Sequence, residues 1–121
     1  MISLIVFSNA GKDQIQSGLC ENSRMLTHIV CWKYKPEIDP STRERHIESL
    51  AALTGVIPEI GSLNVGSDIL HLERSFDTGL VAVFADRDAL DRYTNHPEHQ
   101  KAAAMGREIS ERVVSVDFLH D

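Results

Sequence analysis

Tyr93, His96 and His99 stand close together in the run Tyr93-Thr94-Asn95-His96-Pro97-Glu98-His99-Gln100. A neutral imidazole can accept a proton near pH 7, and a tyrosine hydroxyl can polarise a carbonyl or hold an enolate oxygen. His28, in an apolar segment far upstream, could reach the same place from a strand. These three residue types suit acid–base chemistry on a carbonyl compound, with His99 as base and Tyr93 and His28 orienting the substrate. Pro97 should open a helix, which puts His99 in its third position. Unpaired N–H groups and the positive helix end there disfavour an imidazolium, as burial would. A plainer reading uses the same residues as scaffolding. His96 or Asn95 caps the helix, His99 bonds locally, and Tyr93 packs with its hydroxyl toward water.

Other chemistries find less support. His96 and His99 are three apart, but the break at Pro97 means they need not share a face, and no acidic segment stands ready to join them. No metal and no cofactor are therefore expected. Cys20 and Cys31 make neither a disulfide framework nor a ligand spacing, and Cys31 reads as a small buried hydrophobe in a reducing, cytoplasmic protein. His46, among charged residues, is expected in solvent; His71 falls in a loop and His120 near the end. A formal charge of −6 lacks the basic surface that nucleic acid needs. No nucleophile elbow, phosphate loop or dinucleotide fingerprint is present. Ile2–Phe7 is too short to span a bilayer and lacks the flanks of a secretory signal, so neither membrane insertion nor export is expected.

The 121 residues suit one domain, and the 42% apolar share suffices for a core. Residues 1–24 read as an N-terminal extension, an optional one if Met25 is an alternative start, with Ile2–Phe7 as a possible edge strand. Residues 25–121 form the domain. Leu26 to Tyr34 alternates: Leu26, His28, Val30, Trp32 and Tyr34 share one face, Thr27, Ile29, Cys31 and Lys33 the other. Asp39-Pro40-Ser41-Thr42 starts a helix carrying Ile47, Leu50, Ala51 and Leu53, which Gly55 closes. Ser62–Gly66 is a short strand and a loop runs to about Asp77. Thr78–Ala85 is a strand with Leu80, Ala82 and Phe84 on one side, Val81 and Val83 on the other. Asp86 or Asp88 caps a short helix with Ala89, Leu90 and Tyr93. It breaks at His96, because a residue before proline avoids the helical region. A second helix runs from Pro97 to about Ser110, weakened by Gly106, and Arg112–Leu119 is the last strand.

The order β-α-β-β-α-β is that of an α+β, ferredoxin-like fold: one antiparallel sheet with helices on one face. The helices leave Ile29, Cys31, Val81 and Val83 on the bare side. A second copy laid sheet to sheet would cover them, making a homodimer and a dimeric α/β barrel. Val30, Trp32, Leu80, Ala82 and Phe84 face the helices. They are either core or, with His96 at the polar end, the wall of a ligand pocket.

From Met25 on, the chain resembles the Dabb family, the stress-responsive dimeric α/β-barrel domain. The resemblance rests on His28-Ile29-Val30-Cys31-Trp32-Lys33-Tyr34-Lys35, Ile57-Pro58-Glu59-Ile60, Leu63-Asn64-Val65-Gly66, Tyr93 with His96-Pro97-Glu98-His99-Gln100, and Val113 to Phe118. It implies a ferredoxin-like subunit dimerising through its sheets, and no single function. Plant polyketide cyclases of the family run an aldol cyclisation without metal or organic cofactor. Their pocket histidine on strand 1, helix tyrosine and second histidine of His-Pro-x-His match His28, Tyr93 and His99. A further pocket histidine is replaced here by Thr78. The resemblance thus implies a small-molecule binder, a cyclase or an isomerase. The alternatives are a non-catalytic dimeric module and, from related barrels, a heme-associated oxygenase.

Overall fold

The computed structural model describes residues 24–121; the expectations for residues 1–23 fall outside the described residues. β1 (Met25–Tyr34) leads into α1 (Pro40–Ala51), which tightens into a 3₁₀ turn at Ala52–Gly55. β2 (Ser62–Ser67) and β3 (Thr78–Phe84) follow, then α2 (Arg87–Asn95), α3 (Pro97–Ile109) and β4 (Ser110–His120). Local chemistry sets the helix starts. The Asp39 carboxylate accepts from Thr42 N at 2.8 Å ahead of Pro40, and Asp86 accepts from Ala89 N at 2.8 Å. His96 sits in extended backbone, and its Nδ1 accepts from Glu98 N, so one residue ends α2 and caps α3.

The four strands lie in the order β2-β3-β1-β4, every pair antiparallel. This is the ferredoxin-like α+β fold. Register across the centre is fixed by the alternation of β1: His28 pairs with Ala82 and Asp117, Val30 with Leu80 and Ser115, Trp32 with Thr78 and Val113. All of these point to the helix side. Leu26, Val30, Trp32 and Tyr34 of β1 are buried there against Leu80, Ala82 and Phe84 of β3. Ile29 pairs with Val81 and Val116 on the opposite side, which no helix of the described residues covers; Val116 is 53% exposed and Phe118 45%.

One expectation is overturned in α1. His46 is not in solvent but wholly buried, while Ile47 is only half-buried. The reason is periodicity. His46 stands four and seven residues before Leu50 and Leu53, which sets it on the core-facing stripe beneath its charged neighbours. Its Nδ1 is 2.8 Å from the Tyr34 hydroxyl, which in turn lies 2.8 Å from Thr78 Oγ1. The ring stands edge-on to Trp32, centroids 5.0 Å apart. Burial holds the imidazole neutral, with its pKa pulled down to about 4. Gly106 of α3 makes the fit possible. A Cβ there would meet Trp32 Nε1 at 2.7 Å and His46 Nε2 at 2.9 Å. The residue that weakens α3 as a helix is what lets α3 approach these rings.

Candidate functional site

Because β1 alternates, His28, Val30 and Trp32 present themselves to the space under the helices. Because α3 starts at Pro97, His99 falls in its first turn, facing back over β1. Tyr93 arrives from the last turn of α2. The structure brings these together around one cavity of about 300 Å³, a volume at the lower end for small-molecule sites. Its walls are Val30, Trp32, Leu50, Leu80 and Val113, with Ala103 and Arg107 from α3 and Ser115 from β4.

The polar end is built in layers. The Tyr93 ring lies 4.9 Å from Phe84, 6.1 Å from His28 and 4.3 Å from His99, centroid to centroid. Only 1% of Tyr93 is exposed, and burial pushes its hydroxyl up to about 12, so it stays a proton-bearing donor at neutral pH. That hydroxyl has no hydrogen-bond partner among the described residues, and it is not sealed off.

His99 Nδ1 is 3.0 Å from the carbonyl oxygen of Thr94. A carbonyl can only accept, so Nδ1 carries the hydrogen and the neutral ring keeps its lone pair on Nε2. Burial lowers the His99 pKa. The Thr94 carbonyl opposes that, and the nearby His28, Arg107 and His96 add to the lowering. The result is an unprotonated base of fixed tautomer. His28 Nδ1 hydrogen-bonds Asp117 Oδ1 across the β1–β4 pair, which fixes the orientation of a ring that lines the cavity.

Not every expected ligand contact is at the cavity. Ala82 and Phe84 are fully buried beneath it and serve as core. His96 turns its Nδ1 to the helix N-terminus rather than to the cavity. Val30, Trp32 and Leu80 do line it. Sequence reasoning passed over Asp117, Arg107 and Ser115. Arg107 could have been found at eight residues beyond His99, two steps of the same helix stripe. Asp117 and Ser115 needed the β1–β4 register. Among the described residues no group of three or more His, Cys, Asp or Glu is placed to hold a metal, and no helix is long and apolar enough to cross a membrane.

The family model described as Stress responsive A/B Barrel Domain, Dabb, matches residues 26–120. An uncharacterized protein of Streptomyces coelicolor is 28% identical over 93 residues, covering 75% of this chain and 96% of that protein. Among solved structures, a dimeric ferredoxin-like protein of unknown function from Thermobifida fusca superimposes with a TM-score of 0.75 at 25% identity, over 84% of this chain and 96% of its own. The hydroxynitrile lyase of Passiflora edulis shares the fold, with a TM-score of 0.74 at 16% identity over 82% and 95% of the two chains.

Proposed function

Since this chain belongs to the stress-responsive A/B barrel (Dabb) family, we propose that its cavity binds a small hydrophobic carbonyl compound and carries out acid–base chemistry on it, as a cyclase or isomerase without a cofactor. In this reading His99 Nε2 takes a proton from the carbon next to the carbonyl. The electron pair moves onto the carbonyl oxygen, where the Tyr93 hydroxyl donates a hydrogen bond to the enolate. His28, held by Asp117, orients the substrate. The proton on His99 returns to carbon or oxygen when the new bond or isomer forms, so the enzyme ends unchanged.

The observation that carries the proposal is the tautomer lock. Thr94 O holds Nδ1–H and leaves the Nε2 lone pair available, with the Tyr93 ring 4.3 Å from the imidazole, centroid to centroid. The test needs no natural substrate. The protein is incubated in D₂O with a panel of aryl methyl ketones and β-keto esters, and deuterium entering the α position is followed by NMR. The wild-type chain should speed exchange, and His99→Gln should remove about 10²–10⁴-fold of that rate, the span of general base catalysis. Equal exchange in the two proteins would remove His99 from the role.

A specific contact supports the second reading, a dimeric module without catalysis. Thr94 O receives both His99 Nδ1 and Gln100 Nε2, the latter at 2.6 Å, so the same atoms tie α2 to α3. Absence of exchange across the whole panel, with the fold intact, would favour it.

In both readings the chain works as a homodimer. The uncovered sheet side carries Ile29, Val81, Val116 and Phe118, an apolar face that a second copy would bury. The Thermobifida fusca relative is itself described as dimeric.

A further inference from the structure

We propose that the cavity selects anionic ligands, with Arg107 binding the carboxylate of a keto acid whose carbonyl lies between Tyr93 and His99; this rests on the carbonyl-binding reading above. Three observations converge on it. First, of the described residues lining the cavity, Arg107 alone carries a permanent charge, and none of them is acidic. A cationic cavity in a chain of net charge −6 is a local reversal of sign, and such a reversal favours an anion at that spot.

Second, Arg107 forms no ion pair or hydrogen bond among the described residues. Three other arginines are paired: Arg43 lies 3.9 Å from Asp77, Arg87 3.6 Å from Asp91, and Arg92 3.0 Å from Glu59; Arg74 and Arg112 have no such partner among the described residues, but neither lines this cavity. The planar guanidinium matches a carboxylate with two parallel N–H donors, and here that fork is unused by the protein. An arginine near a helix C-terminus also favours the helix dipole. That accounts for its place in the last turn of α3; the side chain is exposed and also lines the cavity, so its donors are open to a ligand entering from solvent.

Third, the spacing is that of a two-ended site. His99, Ala103 and Arg107 recur every four residues and form one stripe of α3 along the cavity. About 12 Å of helix axis separates the two outer α-carbons. Ala103 between them offers no bulk, and Val30, Leu50, Leu80 and Val113 provide apolar walls. Ser115 adds a hydroxyl from β4. A ligand that uses both ends carries its carbonyl at one end of a short apolar body and its negative charge at the other.

The experiment compares 4-acetylbenzoate, its methyl ester and acetophenone at low salt, with binding read from the imidazole signals of His28 and His99 in NMR titrations. The acid should bind about tenfold tighter than the ester or more. Arg107→Gln should erase that preference, Arg107→Lys should keep part of it, and His99→Gln should keep it. Equal binding of acid and ester, with cavity signals shifting for both, would overturn the anion assignment and leave the carbonyl site standing. So would a preference that survives Arg107→Gln. If none of the three compounds moves the His28 and His99 signals, both readings fall together.

Discussion

The imidazole of His99 lies 4.3 Å from the ring of Tyr93, the two planes inclined by 45°. One ring comes from the start of α3 and the other from the end of α2. The short break at His96–Pro97 is what folds the two helices so that these rings meet. Both rings therefore line the same cavity.

The Thr94 carbonyl makes a direct prediction about this pair. At pH 7 the His99 ring should be neutral with hydrogen on Nδ1, since burial lowers its pKa and the carbonyl accepts from that nitrogen. Long-range ¹⁵N–¹H correlation spectra distinguish the tautomers. Hydrogen on Nε2, or an imidazolium, would be the contrary outcome.

The two buried tyrosines should differ sharply in their response to loss of the hydroxyl. Tyr34 bonds both His46 and Thr78, so Tyr34→Phe leaves polar atoms unpaired and should cost about 1–3 kcal/mol. The Tyr93 hydroxyl has no hydrogen-bond partner among the described residues, so Tyr93→Phe should change stability by less than about 0.5 kcal/mol. Urea unfolding at fixed protein concentration compares them, and a large loss for Tyr93→Phe would reveal a structural role.

Acid should weaken the fold through His46. Its folded pKa of about 4 lies below the ordinary 6.5, so below pH 6.5 the unfolded chain binds more protons. Stability attributable to this group is whole above pH 6.5 and declines as pH falls toward 4, by about 3 kcal/mol in all. The lowered pKa of His99 acts in the same direction. Unfolding free energies at pH 7 and pH 4.5 should differ less in His46→Gln than in the wild-type chain. An unchanged difference would mean that another group sets the acid sensitivity.

Gly106→Ala should destabilise, although alanine is the better helix former by about 1 kcal/mol. The added methyl would be 2.7 Å from Trp32 Nε1 and 2.9 Å from His46 Nε2, and relieving those contacts means moving buried rings. A net loss of about 1–2 kcal/mol is expected, seen as a lower urea midpoint at constant slope. A gain in stability would show that α3 can shift freely.

A charge on the uncovered sheet side should separate the proposed dimer. Val116→Asp alters a residue that is 53% exposed and faces away from the helices. Light scattering after size exclusion should show the mass of one chain where the wild type shows two, with the circular dichroism spectrum kept. A wild-type chain that is already a monomer, or a mutant that stays paired, would contradict the proposed interface.

Much of this was legible before any coordinates. The alternation of β1 and β3, the caps at Asp39 and Asp86, and Pro97 after His96 each express a local rule, so the element order and strand faces follow from neighbours in the chain. The proposed site was legible in part for the same reason: His28 had to share a face with Val30 and Trp32, and Tyr93 and His99 had to flank the helix break. His46 was misplaced because its charged neighbours suggested solvent while its spacing to Leu50 and Leu53 decided burial.

The sequence by itself determined the order of strands and helices, where the helices start and which faces of β1 and β3 are apolar, because those depend on steric and hydrogen-bonding preferences within a few residues; the choice of Asp86 over Asp88 and of His96 over Asn95 as caps came with the structure. Tertiary structure alone decided that Asp117 holds His28, that Arg107 and Ser115 meet the same cavity, that Ala82 and Phe84 lie beneath it, and that Gly106 admits two aromatic rings. Each of those depends on register between distant strands or on the distance of closest approach between helix and sheet. Such quantities are set by the packing of the whole core, and no short stretch of chain encodes them.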